Sequence, residues 1–222
     1  ERSGSVGGGV DHYLTIMESG PEWDTPDFLM KHIPELTDGI VDLDVTREVI
    51  EAMPRTLRKL ESLGVDFTDP RTGTYDRHRS FGLPATYHIN FDGTQFKHHI
   101  GQTVRRGKAK LLARTMGAQV LVEDGKAYGA LGFDIRSGGW YAVRAKAVML
   151  STGDVNRLSR NASGLAFDSW HCPYNTGDAQ AMAYRAGSVL TNMEFTETTL
   201  TPKGFSTQGL NALVSMGAYF LN

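Results

Sequence analysis

The stretch Asn175-Thr176-Gly177-Asp178-Ala179-Gln180-Ala181-Met182-Ala183-Tyr184-Arg185-Ala186-Gly187 decides how this chain is read. It has the form of a helix marked at both ends. Thr176 or Asp178 offers a side-chain oxygen to a free backbone N–H at the start. Gly187 can take the left-handed conformation that ends a helix. Ala179, Ala181, Met182, Ala183 and Ala186 leave a surface against which something flat can pack. A helix start with a glycine and a carboxylate suits a phosphate, a sugar hydroxyl or a cofactor edge.

The residues just upstream supply a matching piece. Residues 145–150 are nearly continuously apolar, as a buried strand is. They run into Ser151-Thr152-Gly153-Asp154. A buried strand with such a turn at its carboxyl end is where α/β folds place ligands. Each Thr-Gly-Asp alone is a common turn. The two together with the loop over 3–9, which holds Gly7-Gly8-Gly9, point to a cofactor pocket.

Further upstream the pattern is that of a three-stranded antiparallel meander. Residues 119–122, the turn Glu123-Asp124-Gly125-Lys126 and residues 127–135 read as a hairpin. Arg136-Ser137-Gly138-Gly139 turns again into a strand over 140–151. Residues 65–103 are loop-rich, with short strands expected at 87–91 and 95–100. Asp44 or Thr46 opens an amphipathic helix with Val49, Ile50, Met53, Leu57, Leu60 and Leu63 on one side and Gly64 as its stop. Pro54 lies inside and is expected to kink or divide it. Asp24-Thr25-Pro26 marks another helix start.

Composition narrows the function class. The chain has 222 residues, 40% of them hydrophobic, enough for one large domain or two small ones. With 23 Lys+Arg against 25 Asp+Glu, it lacks the basic footprint of a nucleic-acid binder, and the run Arg105-Arg106-Gly107-Lys108-Ala109-Lys110 reads as a solvated surface. No apolar run of membrane-spanning length occurs. Cys172 is the single cysteine, so no intrachain disulfide forms, and a reducing, cytoplasmic setting is expected. It reads as a buried, inert thiol. His12, His32, His78, His88, His98, His99 and His171 show no metal-ligand spacing, and adjacent His98 and His99 would point opposite ways on a strand. Structural or substrate-contacting roles are expected for them, and no metal.

Several segments, in order, resemble the flavoprotein subunits of the succinate dehydrogenase and fumarate reductase family, and most closely its adenylylsulfate-reductase alpha-subunit branch. They are Glu1-Arg2-Ser3-Gly4-Ser5-Val6-Gly7-Gly8-Gly9, Arg79-Ser80-Phe81-Gly82, Arg144-Ala145-Lys146-Ala147-Val148-Met149-Leu150-Ser151-Thr152-Gly153, residues 175–187, and Met193-Glu194-Phe195. The resemblance implies an FAD-dependent oxidoreductase that passes a hydride through the flavin, with an iron–sulfur electron-transfer partner. It implies an α/β fold: part of a Rossmann-like FAD-binding domain over 1–195, carrying the meander, and the start of a capping domain over 196–222. Ser3, Ser5, Gly7, Gly8 and Gly9 would lie along the FAD diphosphate and flavin. Thr152, Gly153 and Asp178 would contact the ribityl or adenosine side. Phe81 and Gly82 would line the substrate pocket. Lys203 would offer a positive charge to a small anionic substrate, and His12 is the third substrate-side candidate.

Departures from the family pattern shape the expectation further. The Gly-x-Gly-x-x-Gly unit that holds the diphosphate would precede Glu1, so the chain reads as a fragment. Its absence also argues against a nicotinamide dehydrogenase. Gly4 stands where members with covalent flavin carry a histidine, so non-covalent FAD is implied. Thr198-Thr199-Leu200-Thr201-Pro202-Lys203-Gly204 replaces the fumarate-binding His-Pro-Thr-Gly, which points away from succinate and fumarate. The segment 102–116 is about ten residues short of the pattern that supplies a helix, a strand and an adenine contact. The competing expectation is a non-catalytic fragment or paralogue that serves as a scaffold or binds a partner.

Overall fold

The computed structural model describes residues 4, 10–80, 83, 85–157, 167 and 171–195. They divide near Lys108-Ala109 into two compact units. Mixed helices and strands build both, and each has its own three-stranded antiparallel sheet.

The first unit, over 10–108, orders its elements as β1 (His12–Leu14), α1 (Pro26–Leu36), α2 (Leu43–Ser62), β2 (Asp76–Arg79), β3 (Tyr87–Asn90) and α3 (Phe96–Arg106). Its sheet runs β1-β3-β2, with Tyr13 opposite Ile89 and Arg77 opposite Ile89 on the other side. Side chains alternate across a strand, so Tyr13, Arg77 and Ile89 share one face. Ile89 is fully buried there with Leu57, Val65, Phe67 and Phe91. A second cluster joins Ile16, Leu29, Ile50 and Ala85 beneath α1 and α2.

Local chemistry explains these elements. Thr25 caps α1, its hydroxyl accepting from the Phe28 N–H, and Pro26 takes the first position where no N–H is needed. The long helix α2 opens one step earlier than Asp44 or Thr46. Asp42 is its cap, accepting from the N–H groups of Asp44 and Val45. Pro54 does not divide α2, which runs unbroken for 20 residues. Pro54 is on the buried side, and packing of that side outweighs the one hydrogen bond that proline removes. Gly64, at φ +95°, ends the helix as expected, and the Val65 N–H bonds back to the Leu60 carbonyl.

The strand expected at 95–100 is instead the start of α3. Phe96 and Ile100 are four residues apart, which is helical spacing, and no alternation supports a strand. His98 and His99 therefore sit about one helical step apart on a helix and do not point opposite ways.

The second unit, over 109–195, holds β4 (Thr115–Glu123), β5 (Lys126–Asp134), β6 (Trp140–Arg144) and α4 (Asp178–Arg185). The meander forms as the sequence indicates, in order β4-β5-β6. Asp124 and Gly125, both at positive φ, make its first turn. The third strand is shorter than expected and stops at Arg144. No strand forms over 145–150, and Met149 is exposed. A buried strand needs neighbours on both sides for its N–H and C=O groups, and no described strand pairs with this run. Its apolar character is used differently: Val148 and Leu150 pack against the small core of Val120, Ala179 and Met182.

Helix α4 forms where the sequence places it. Its N-cap is Gly177, in the left-handed region, and neither Thr176 nor Asp178 caps a backbone N–H. The two side chains bond each other instead, Thr176 Oγ1 donating to Asp178 Oδ2 at 2.9 Å. Gly187, at φ +89°, ends the helix, and the Ser188 N–H returns to the Ala183 carbonyl. The small-residue surface of α4 packs on the meander through Ala179 and Met182.

Candidate cofactor site

The turn after residue 150 lies against the segment that leads into α4. Val155 pairs with Thr176 across an antiparallel bridge, and the Asn156 N–H donates to the Asn175 carbonyl at 2.7 Å. Asn156 Nδ2 also holds the Cys172 carbonyl at 3.0 Å. Two glycines make this approach close. Gly153 sits at φ +87°, and a Cβ there would lie 3.0 Å from Asn175 Nδ2. Gly177 sits at φ +85°, and a Cβ there would lie 3.2 Å from Val155 Cγ1. Either added carbon would strain the backbone and push the two segments apart.

The Asp154 carboxylate organises the same turn. One oxygen is hydrogen-bonded to His171 Nδ1 at 2.7 Å, and the other accepts from Asn175 Nδ2. Asp154 is therefore structural here. Asp178, next along the chain, remains at the first turn of α4 and borders a cleft of about 160 Å³. Met116, Gly117, Phe133 and Met182 give that cleft an apolar floor, and Asp178 and Arg185 stand at its polar margin. Gln180 Oε1, on the same helix, is buried without a hydrogen-bond partner.

The cleft is smaller than the roughly 300–1,000 Å³ that holds a whole small-molecule ligand. It suits one edge of a larger cofactor: a flat ring on the apolar floor and a hydroxyl or amine donating to the Asp178 carboxylate. That donor set fits a nucleoside or ribityl portion of a dinucleotide.

Of the expected cofactor contacts, Thr152, Gly153 and Asp178 fall within this one unit, and the Gly153 turn and the start of α4 are joined through residues 175–177. His12 lies in the first unit, half-exposed on β1, with its Nδ1 2.6 Å from Asp11 Oδ1. Ser3, Ser5, Gly7, Gly8, Gly9, Phe81, Gly82 and Lys203 lie outside the described residues. Cys172 is half-buried and free.

Sequence reasoning missed a group in the first unit. His12, His78 and His88 come from three different strands to one face of its sheet. The signal was present as a period of two, Asp76-x-His78 and His88-x-Asn90, in a region read mainly as loop.

Comparison with known proteins identifies the family. The family model described as "FAD binding domain" matches residues 4–222. The chain belongs to that family, and FAD is its cofactor. It is 26% identical over 165 residues to the fumarate reductase flavoprotein subunit of a Serratia species, covering 72% of this chain and 26% of that protein. It is 27% identical over 161 residues to the 8-methylmenaquinol:fumarate reductase flavoprotein subunit of Wolinella succinogenes, covering 71% of this chain and 25% of that protein. Among solved structures, adenylylsulfate reductase from Archaeoglobus fulgidus superposes with a TM-score of 0.72 at 24% identity, covering 84% of this chain and 30% of that one. The last likeness establishes the fold. The chain thus spans about a quarter to a third of these relatives' length. No described helix is long and apolar enough to cross a membrane.

Proposed function

We propose that this chain is the FAD-binding part of an FAD-dependent oxidoreductase that acts on a small anionic substrate other than succinate or fumarate. The observation that carries this reading is the glycine-tight junction of residues 152–156 with residues 175–177, which sets Asp178 beside a cleft sized for one edge of a dinucleotide. Thr152, Gly153 and Asp178 hold the ribityl or adenosine side, with the Asp178 carboxylate accepting a hydroxyl or amine hydrogen. The cofactor is held without a covalent bond, because Gly4 offers no nucleophile. Ser3, Ser5, Gly7, Gly8 and Gly9 follow the diphosphate. Residues 1–195 make the FAD-binding part and 196–222 begin the capping part. Bound FAD supplies a two-electron hydride acceptor or donor.

On the substrate side stand Phe81, Lys203 and His12. Lys203 supplies a fixed positive charge for the anion. His12, hydrogen-bonded to Asp11, offers an imidazole to the substrate side. The electron partner is an iron–sulfur subunit, and the setting is a reducing, cytoplasmic compartment, in line with a single free cysteine.

The test uses the full-length protein that carries this chain. It is expected to purify yellow and to release free FAD on acid precipitation. Asp178→Ala is expected to weaken FAD binding about 10- to 100-fold, the loss of one hydrogen bond to a charged group. Unchanged FAD affinity in that variant removes Asp178 from the site. A protein that stays colourless with FAD added overturns the oxidoreductase reading in favour of a scaffold.

A further inference from the structure

The face of the first sheet opposite its aromatic core carries a connected set of ionisable groups. Ile89 is buried in that core, so its neighbours His88 and Asn90 point to the other face. His12 on β1 stands opposite Asn90, and His78 on β2 stands opposite His88. The His12 and His88 rings are 5.2 Å apart edge-on, and those of His78 and His88 are 6.1 Å apart. The outer two rings are exposed, with side-chain accessibilities of 39% and 41%. Each is held by a carboxylate: Asp11 Oδ1 at 2.6 Å from His12 Nδ1, and Asp76 Oδ1 at 2.8 Å from His78 Nε2. Asp76 also accepts from Asn90 Nδ2 at 3.4 Å.

The central ring differs. His88 is 3% exposed, and its Nδ1 lies 2.6 Å from Ser80 Oγ. Burial and then repulsion from a charged His12 hold its pKa below the usual histidine range, with a lesser contribution from His78, against a side-chain hydrogen bond with Asn90 and the charge of Asp11. In the tautomer whose Nδ1 accepts the Ser80 hydroxyl, a neutral His88 carries its proton on Nε2. Ser80 is itself held through its backbone. Its N–H donates to the Thr86 carbonyl at 2.7 Å, and its carbonyl accepts from the Leu83 N–H at 2.9 Å. Among the described residues no group of three or more His, Cys, Asp or Glu is arranged to hold a metal ion. Chelation therefore does not account for the three rings.

We propose that Ser80 and His88, with the flanking pairs Asp11–His12 and Asp76–His78, form a proton-exchange path between solvent and the Ser80 hydroxyl. As a substrate proton reaches Ser80 Oγ, the existing Ser80 O–H proton passes to His88 Nδ1. The imidazolium then passes its Nε2 proton through one bridging water to whichever of His12 and His78 is in its neutral form, and that ring gives up a proton to solvent. Each transfer breaks one H–O or H–N bond and forms another, so one proton moves outward with no change in oxidation state. Ring separations of this size are within reach of a single bridging water. The use of this path in catalysis rests on the reading that puts Phe81 on the substrate side; the path itself does not.

The experiment is nitrogen-detected NMR of the full-length protein with labelled histidine, following the titration of His88 and the exchange of its Nε2 proton with water. In the double variant His12→Gln/His78→Gln, His88 is expected to titrate at higher pH, because the two rings that oppose its protonation when charged are gone. Its proton exchange is expected to slow by about tenfold or more. Both substituted side chains are exposed, so the fold is retained. An unchanged exchange rate in the double variant overturns the path. An unchanged His88 titration overturns the coupling on which it depends. Neither readout requires FAD, so a colourless protein defeats the functional reading above and leaves this test intact.

Discussion

The two units bury their residues in different ways. The first has an aromatic core, with Phe67 tilted against Phe91 at 4.5 Å and against Tyr13 at 5.2 Å. It also locks a loop to its sheet through a buried ion pair. Asp24 is wholly buried and takes Arg77 Nη2 at 3.0 Å, the Met17 N–H at 3.0 Å and the Ser19 N–H at 2.9 Å. The Arg77 guanidinium lies 5.0 Å from the Trp23 ring, which stacks on Tyr87 at 3.9 Å. The second unit has a core of three buried residues, Val120, Ala179 and Met182, and every residue of β6 is exposed. The first unit thus draws its stability from its own side chains. The second is a thin frame whose described features of note are the glycine-tight turn and the cleft beside α4.

Breaking the Asp24–Arg77 lock is expected to have the largest effect. Asp24→Ala leaves a buried guanidinium with its main partner gone and should cost about 3–5 kcal/mol in urea unfolding. The same pair sets a pH limit. Burial raises the Asp24 pKa, but the hydrogen bonds from Ser19, Met17 and Arg77 outweigh it and hold the carboxyl below its usual value. Its contribution is complete above the unfolded value of about 4 and is lost as pH falls through the lower folded value. A flat stability profile across that acid range removes this role from Asp24.

Val120→Ala in the second unit should cost less, about 1.5 kcal/mol for two buried methyl-sized groups. A loss equal to that of Asp24→Ala would erase the contrast between the units. His88 gives a smaller, pH-defined effect. Its folded pKa is depressed, so the unfolded chain binds the proton first, and stability should fall as pH drops below about 6.5. His88→Gln is expected to flatten that portion of the curve. Trp140→Ser, on exposed β6, should change stability by less than about 0.5 kcal/mol. A larger loss would show that this strand is covered in the full-length protein.

Much of this was legible in the residues, wherever one local rule decides. The meander follows from alternation and from the Asp124-Gly125 turn. Helix α4 follows from its alanine-rich pattern and from Gly187, and α1 from Thr25-Pro26. The segments proposed to hold the cofactor were legible in part. Thr152, Gly153 and Asp178 carry turn and helix-start signals, and the structure joins their segments across the Val155–Thr176 bridge. Residues 145–150 were misread because an apolar run looks the same whether or not a neighbouring strand pairs with it. The 95–100 segment was misread because a short run with apolar ends fits both periods.

The sequence by itself determined the family, the cofactor and the places where the backbone must turn or cap, because glycine, proline and capping residues act within a few positions of themselves. Only the tertiary structure decided that Gly177 and not Thr176 or Asp178 caps α4, that Asp154 and Asn175 meet, and that His12, His78 and His88 share one face around Ser80. The histidine grouping depends on strand pairing between positions up to 78 residues apart, as in the pairing of His12 with Asn90 and Leu14 with His88. Register of that kind is set by burying Ile89 on the opposite face, and a one-residue slip of any one strand would turn its histidine toward the core.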